Sequence, residues 1–164
     1  MSESLTSKTT EFSAGVTGAI PLHSDSATGY LYPLVQLVPT ELGGLTKHSL
    51  VCAATDNATL VKAAAGQFYG YSIFNIDANP VYLKLYDKAT APTVGTDTPY
   101  LRFGCPKAAT AADGAFASGF WPIGIAFSTG IGFGVVGGSA ATGILDAATT
   151  ALTASKVLVN LYYK

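Results

Sequence analysis

Side chains able to do chemistry are few and scattered along this chain. The histidines are His23 and His48, the cysteines Cys52 and Cys105, and the acids Glu3, Glu11, Glu41, Asp25, Asp56, Asp77, Asp87, Asp97, Asp113 and Asp146. Nucleophilic catalysis needs a hydroxyl or thiol held by a base that is itself oriented by an acid. Neither histidine stands in a Gly-x-Ser-x-Gly elbow or at a fixed spacing from an acid, and both read as surface residues. Glycoside hydrolysis needs two carboxylates facing each other across a cleft, and no strand-like run carries one at its centre. Most of the aspartates fall where the chain must turn, and there a short carboxylate binds its own backbone. Two distant cysteines cannot assemble the four ligands of a zinc centre, nor do they form a redox pair. Cys105 is in phase with Leu101 and Phe103, which predicts a buried thiol, and pairing with Cys52 stays open. These residues predict no catalytic site, no metal and no cofactor, and therefore no enzyme.

Three local motifs have the same outcome. Gly132, Gly134 and Gly137 match G-x-G-x-x-G, but they lie inside an alternating strand pattern, and Asp146 follows too soon to hold a ribose. Asn57-Ala58-Thr59 has the form of a glycosylation acceptor and reads as an ordinary turn, because no secretory signal precedes it. The polar start, Met1 to Phe12, instead predicts folding in a cytoplasm. The nine basic residues are spread singly, with Arg102 the one arginine, so neither phosphate neutralisation nor base reading is served and no nucleic acid is expected. No charge occurs between Asp113 and Asp146, but ten glycines and prolines from Gly114 to Gly143 would spoil a spanning helix, so buried strands are expected and no membrane.

What these residues must be mounted on reads as β structure. Residues 1–29, rich in Ser, Thr, Ala and Gly, lack the large apolar side chains that offset the entropy of ordering and predict an extended N-terminal arm. Residues 30–164 predict a single domain. Tyr30 to Val38 is an apolar run with a proline edge at Pro33, followed by a turn-rich stretch from Pro39 to Thr59. Phe68 to Ile76 and Val81 to Tyr86 form a hairpin across Asp77-Ala78-Asn79-Pro80, with Val81, Leu83 and Leu85 inward and Tyr82, Lys84 and Tyr86 outward. Tyr100 to Cys105, Trp121 to Phe127, Ile131 to Val135 and Val157 to Tyr163 extend the series. Lys107 to Gly119 reads as an Ala/Gly loop, and a short helix over Asp146 to Leu152 is weakened by threonines. Gly132 and Gly134 share one face of their strand, which implies close approach of an aromatic or of another subunit's backbone. The expected fold is all-β, an antiparallel β-sandwich or a jelly-roll-like barrel.

Charged residues make up only 12% of the 164, against roughly 25% in an ordinary soluble domain, and the formal net charge is -1. Such a surface favours association, so a homo-oligomer or a docked component is expected. The tyrosines Tyr69, Tyr71, Tyr82, Tyr86, Tyr162 and Tyr163 read as cross-strand ladders, with a subunit interface or a sugar platform including Trp121 as alternatives.

The segment NPVYLKLYDKATAPTVGTDTP from Asn79 to Pro99, then Gly124 to Gly132, then the terminal VLVNLYYK, resembles small β-sandwich structural proteins of tailed bacteriophages. The resemblance spans roughly residues 60–164. It implies a virion component assembled in the bacterial cytoplasm, with capsid decoration or cement proteins as the nearest role. Those are small β domains, often trimeric, that bridge the major capsid protein of neighbouring capsomers and carry no catalytic residues. The alternatives are a tail, baseplate or head-fibre protein, or a module that binds glycans or a host receptor.

Overall fold

The structure is a computed structural model and describes residues 44–110 and 112–164, together with the backbone of two short strands nearer the N-terminus. Those strands, β1 (Leu22–Ser24) and β2 (Leu31–Pro33), pair antiparallel with His23 opposite Tyr32, in a unit that runs from Met1 to Gly44. Apart from them, the expected arm over residues 1–29 and the rest of the run from Tyr30 to Val38 lie outside the described residues.

The second unit, Leu45 to Lys164, holds the remaining strands and, among its described residues, no helix. They are β3 (Thr46–Val51), β4 (Thr59–Lys62), β5 (Gly66–Asn75), β6 (Val81–Asp87), β7 (Leu101–Cys105), β8 (Ala115–Phe127), β9 (Ile131–Gly137) and β10 (Val157–Tyr163). They form two antiparallel sheets in the orders β3-β10-β5-β8 and β4-β9-β6-β7, packed as a sandwich. Counted from β3, the first sheet takes the first, eighth, third and sixth strands and the second takes the rest. This alternation is the strand order of a jelly roll. Between the sheets Phe68, Ile73, Val159 and Leu161 meet Leu83, Leu85, Phe133 and Val135, all of them fully buried.

The two strands expected to form a hairpin are present as β5 and β6, but they make no hairpin: they sit in different sheets and do not pair with each other. Asn75 and Asp77 shape the connection. The Asn75 carbonyl oxygen accepts from the Asp77 amide at 2.8 Å, while its Nδ2 donates to the Asn79 and Pro106 carbonyls at 3.0 and 2.8 Å. The chain therefore crosses from sheet to sheet instead of folding back on itself.

β6 was expected to be half-buried, and its outer face is buried too. Two loops cover it. In residues 88–99, Pro92 and Val94 press on the strand next door: a Cβ at Gly132 would stand 3.1 Å from Pro92 Cδ, and one at Gly134 would collide with Val94 Cγ2. Side chains from the chain's own loop, neither an aromatic nor another subunit, thus explain the paired glycines. The second loop, residues 138–156, has turns where a helix over Asp146 to Leu152 was considered. It is held by Lys84, whose side chain is 0% exposed and whose ammonium donates to the carbonyls of Leu145, Asp146 and Ala148 at 2.6, 3.2 and 2.9 Å. Arg102, opposite Lys84 on β7, pairs with the Asp146 carboxylate over the same loop.

Strand β3 falls inside the stretch expected to be turns, and β4 begins at its last residue, Thr59. β3 is polar because it is an edge strand with one face to solvent. β8 begins at Ala115, well inside the expected Ala/Gly loop, since Ala117 and Gly119 point inward, where only small side chains fit beneath Tyr71 and Trp121.

Substituting Lys84 by Met keeps the volume and removes the ammonium that the three loop carbonyls share, leaving the Leu145 carbonyl with the Ala148 amide as its donor. We expect a loss of about 3 kcal/mol in unfolding free energy by urea titration, with protease cleavage appearing first within residues 138–156.

Candidate docking surface

The ionisable side chains identified in the sequence are mostly tied into the frame. The Asp87 carboxylate accepts from the Ser128 hydroxyl at 2.6 Å and from the amides of Ser128, Thr129 and Gly130 at 3.0, 2.7 and 3.2 Å, closing the turn between β8 and β9. Burial alone would raise its pKa, yet these hydrogen bonds outweigh it and bring the group down to about 2. At Asp77 burial likewise pushes upward and is overcome by hydrogen bonds from Thr153 and Asn79, so its pKa is also lowered. Asp97 takes the Lys88 ammonium at 2.6 Å and the Thr93 amide at 2.7 Å, Asp113 bonds Thr110, and Asp56 accepts from the Ala58 amide. The turn reading of these carboxylates holds. Asp146 differs, because its partner is the Arg102 guanidinium. Asp25 lies outside the described residues.

His48 is not a surface residue. It occupies an inward position of β3, edge-on to Phe133 with ring centroids 5.5 Å apart. The side chain of His23 lies outside the described residues. Both cysteines are buried and free: the Cys52 thiol donates to the Thr153 carbonyl at 3.2 Å, and burial pushes the Cys105 thiol up to about 11, away from nucleophilic use. Asn57 adopts a left-handed φ of 52° and spends its amide nitrogen on the Ala53 and Thr55 carbonyls, the structure of a tight turn. Gly132, Gly134 and Gly137 all lie on β9, as the alternating pattern indicated. Among the described residues no group of three or more His, Cys, Asp or Glu side chains could hold a metal ion, and no helix is long and apolar enough to cross a membrane.

The aromatics divide by face. Trp121 lies between Phe68, Tyr71 and Phe103 at centroid distances of 5.8, 6.2 and 5.4 Å, so its ring faces are taken up by the core. Tyr71, Tyr82 and Tyr86 are buried; Tyr69, Tyr162 and Tyr163 are half-buried. Burial first, then the nearby Asp97 and Asp146 charges, pushes the Tyr86 phenol up to about 12.

The feature least visible in the sequence is the outer face of the β3-β10-β5-β8 sheet. Register aligns Val51, Leu158, Phe74 and Phe116 in one row across all four strands. Their exposures are 61, 38, 43 and 64%. The adjoining row is Ser49, Asn160, Ser72 and Ser118, where Ser49 Oγ donates to Asn160 Oδ1 at 2.5 Å and Asn160 Nδ2 to Ser72 Oγ at 3.1 Å. The third row is Lys47, Tyr162, Gly70 and Phe120, with the Phe120 ring lying over Gly70. Lys47 is the single charge on these three rows. The other sheet carries the chain's own loops over its outer face; this one is left bare among the described residues. A platform of this kind, with one charge and two rows bearing large apolar side chains on either side of a polar one, can bind a complementary surface.

No family model matches the chain, and no curated protein or solved structure matches it either.

Two outcomes test the frame. The folded Asp87 pKa lies below the ordinary 3.8, so its contribution to stability is complete above that pH and is lost as pH falls toward 2. Asp87→Asn puts an amide against three N–H donors, and we expect about 1–2 kcal/mol lower stability at pH 7 and a shallower acid limb in a melting-temperature series. Trp121→Ala should cost roughly 3–5 kcal/mol in chemical denaturation, whereas a sugar-platform tryptophan would leave stability unchanged.

Proposed function

We propose that this chain is a virion structural protein, most closely a capsid decoration or cement protein, which docks on the shell through the bare face of the β3-β10-β5-β8 sheet. One observation carries the reading: the jelly roll covers one of its sheets with its own loops and leaves the other as an apolar, nearly uncharged platform. Jelly rolls occur in viral capsids, lectins and cupins, so the architecture alone does not choose among them. The interior of this one favours the first. Its centre is Phe68, Leu83, Phe133 and Val135, all fully buried, and its tryptophan packs against Phe68, Tyr71 and Phe103.

The resemblance to phage structural proteins supports the same reading. Asn79 to Pro99 comprises β6 and the loop that lays Pro92 and Val94 on β9, so the likeness falls on the part of the chain that closes the fold. A shell protein needs many weak contacts made simultaneously, and a flat apolar face repeated over a lattice supplies them without any one contact being strong.

The test is co-sedimentation with purified shells of the virus that encodes the chain, followed by a thermal challenge of the shells. Saturable binding and a higher shell disruption temperature are expected, with Phe74→Asp and Leu158→Asp each lowering shell affinity at least tenfold while leaving the melting temperature of the free protein within a few degrees. Absence of binding to shells would overturn the reading, and labelling of tails or fibres in intact particles would move the chain to that part of the virion.

A further inference from the structure

The two sheets present four edge strands, and three of them carry a guard against pairing with another chain. β3 bears Lys47, β4 is only four residues long with a break in register and ends at Lys62, and β7 is five residues long with Arg102 near its start. Charge and shortness are the usual ways of closing an edge. Over Ala115 to Trp121 β8 has neither. Its register with β5 breaks beyond Phe120 and Pro122 follows, but the regular stretch before them carries no charged side chain, and one of its edges pairs with β5 while no described strand pairs with the other.

We propose that two copies of this chain associate by antiparallel pairing of β8 with β8 across a two-fold axis near Ser118, joining two four-stranded sheets into one of eight strands. Centred there, Phe116 of each copy stands opposite Phe120 of the other, Ala117 opposite Gly119, and Ser118 opposite itself. Phe116 and Phe120 are 64 and 63% exposed, the size and placement of an aromatic cross-strand pair waiting for its partner. On the inward side Ala117 and Gly119 present no bulk that would keep the second strand away.

A second copy fits this edge better than a charged partner would. No charge lies between Asp113 and Asp146, so self-pairing places no like charges opposite each other, and the unpaired N–H and C=O groups on the open edge find complementary groups in the same strand reversed. The area is modest. A pairing of about seven residues with its flanking aromatics removes on the order of 1,200 Å2 in total, at the low end of specific interfaces. That size suits a dimer in the micromolar range. The pairing also sets two copies of the row Val51, Leu158, Phe74 and Phe116 on one continuous surface. An assembly built this way has even symmetry, unlike the trimer that the family resemblance implies. The inference rests on the edge of β8 alone and stands whether or not the protein belongs to a virion.

Sedimentation equilibrium on the full chain tests it. The wild type should be dimeric at 50–100 µM, and Ser118→Lys, which sets two ammonium groups face to face on the axis, should raise the dissociation constant at least tenfold with an unchanged melting temperature. Phe116→Lys combined with Phe120→Lys should likewise give monomers, whereas Phe116→Lys combined with Phe120→Glu brings opposite charges together across the axis and should restore the dimer. A wild type that stays monomeric at 100 µM, an oligomer indifferent to Ser118→Lys, or equal behaviour of the two double variants would each overturn the proposal.

Discussion

A strand buried on both faces needs cover on both, and the rest of this structure follows from how β6 and β9 obtain it. Their inward side chains, among them Leu83, Leu85, Phe133 and Val135, are covered by the opposite sheet. Their outward side chains are covered by two loops that have little apolar content of their own. The loops stay down because polar groups are pinned where water is excluded: the Lys84 ammonium on three carbonyls, Asp146 on Arg102, and the Gly137 amide on the Thr150 carbonyl at 2.8 Å. A buried ammonium is expensive unless its donors are used, and here three hydrogen bonds to one loop use them. Burial lowers the Lys84 pKa; the nearby Asp146 charge works against that shift and Arg102 reinforces it.

That arrangement accounts for what the sequence disclosed and what it concealed. Alternation in Val81 to Tyr86 identified the inward face of β6 correctly, because the period of a strand is a local property. It could not show that Tyr82, Lys84 and Tyr86 would also be buried, since a lysine in phase with two tyrosines is the ordinary signature of a solvated face. The cover comes partly from Val94 in the next loop and partly, over Lys84, from residues about sixty positions away, and the latter relation lies in no short window. Gly132 and Gly134 did signal close approach; the approaching atoms, on Pro92 and Val94, belong to a loop whose path depends on the fold.

The same division between local and distant information applies to the docking face. Val51, Phe74, Phe116 and Leu158 are far apart in sequence and each looks unremarkable alone. Register across four strands makes them a row, and register is set by the pairing of β10 between β3 and β5, the last strand of the chain meeting the third and fifth. In contrast, the scarcity of charge was legible from composition and pointed correctly to an oily exterior, although composition could not say which sheet carried it. β3 was hidden for a related reason. Polar residues on an edge strand look like turns until a neighbouring strand is known, and the start of β8 was masked by small residues, of which Gly119 is small because Tyr71 and Trp121 lie against it.

The unequal treatment of the two sheets also bears on where a site could be built. In a jelly roll, a site is built either in the space between the sheets or in the loops at one end. Here the space between the sheets is filled by large apolar side chains. The long loops that could have carried a site are laid flat on the β4-β9-β6-β7 sheet, with their carboxylates spent on N–H groups and on Lys88 and Arg102. Among the described residues the outer face of the β3-β10-β5-β8 sheet and the uncharged start of β8 stay open, the first presenting aromatic rings and the second backbone donors and acceptors, groups that a complementary surface can satisfy.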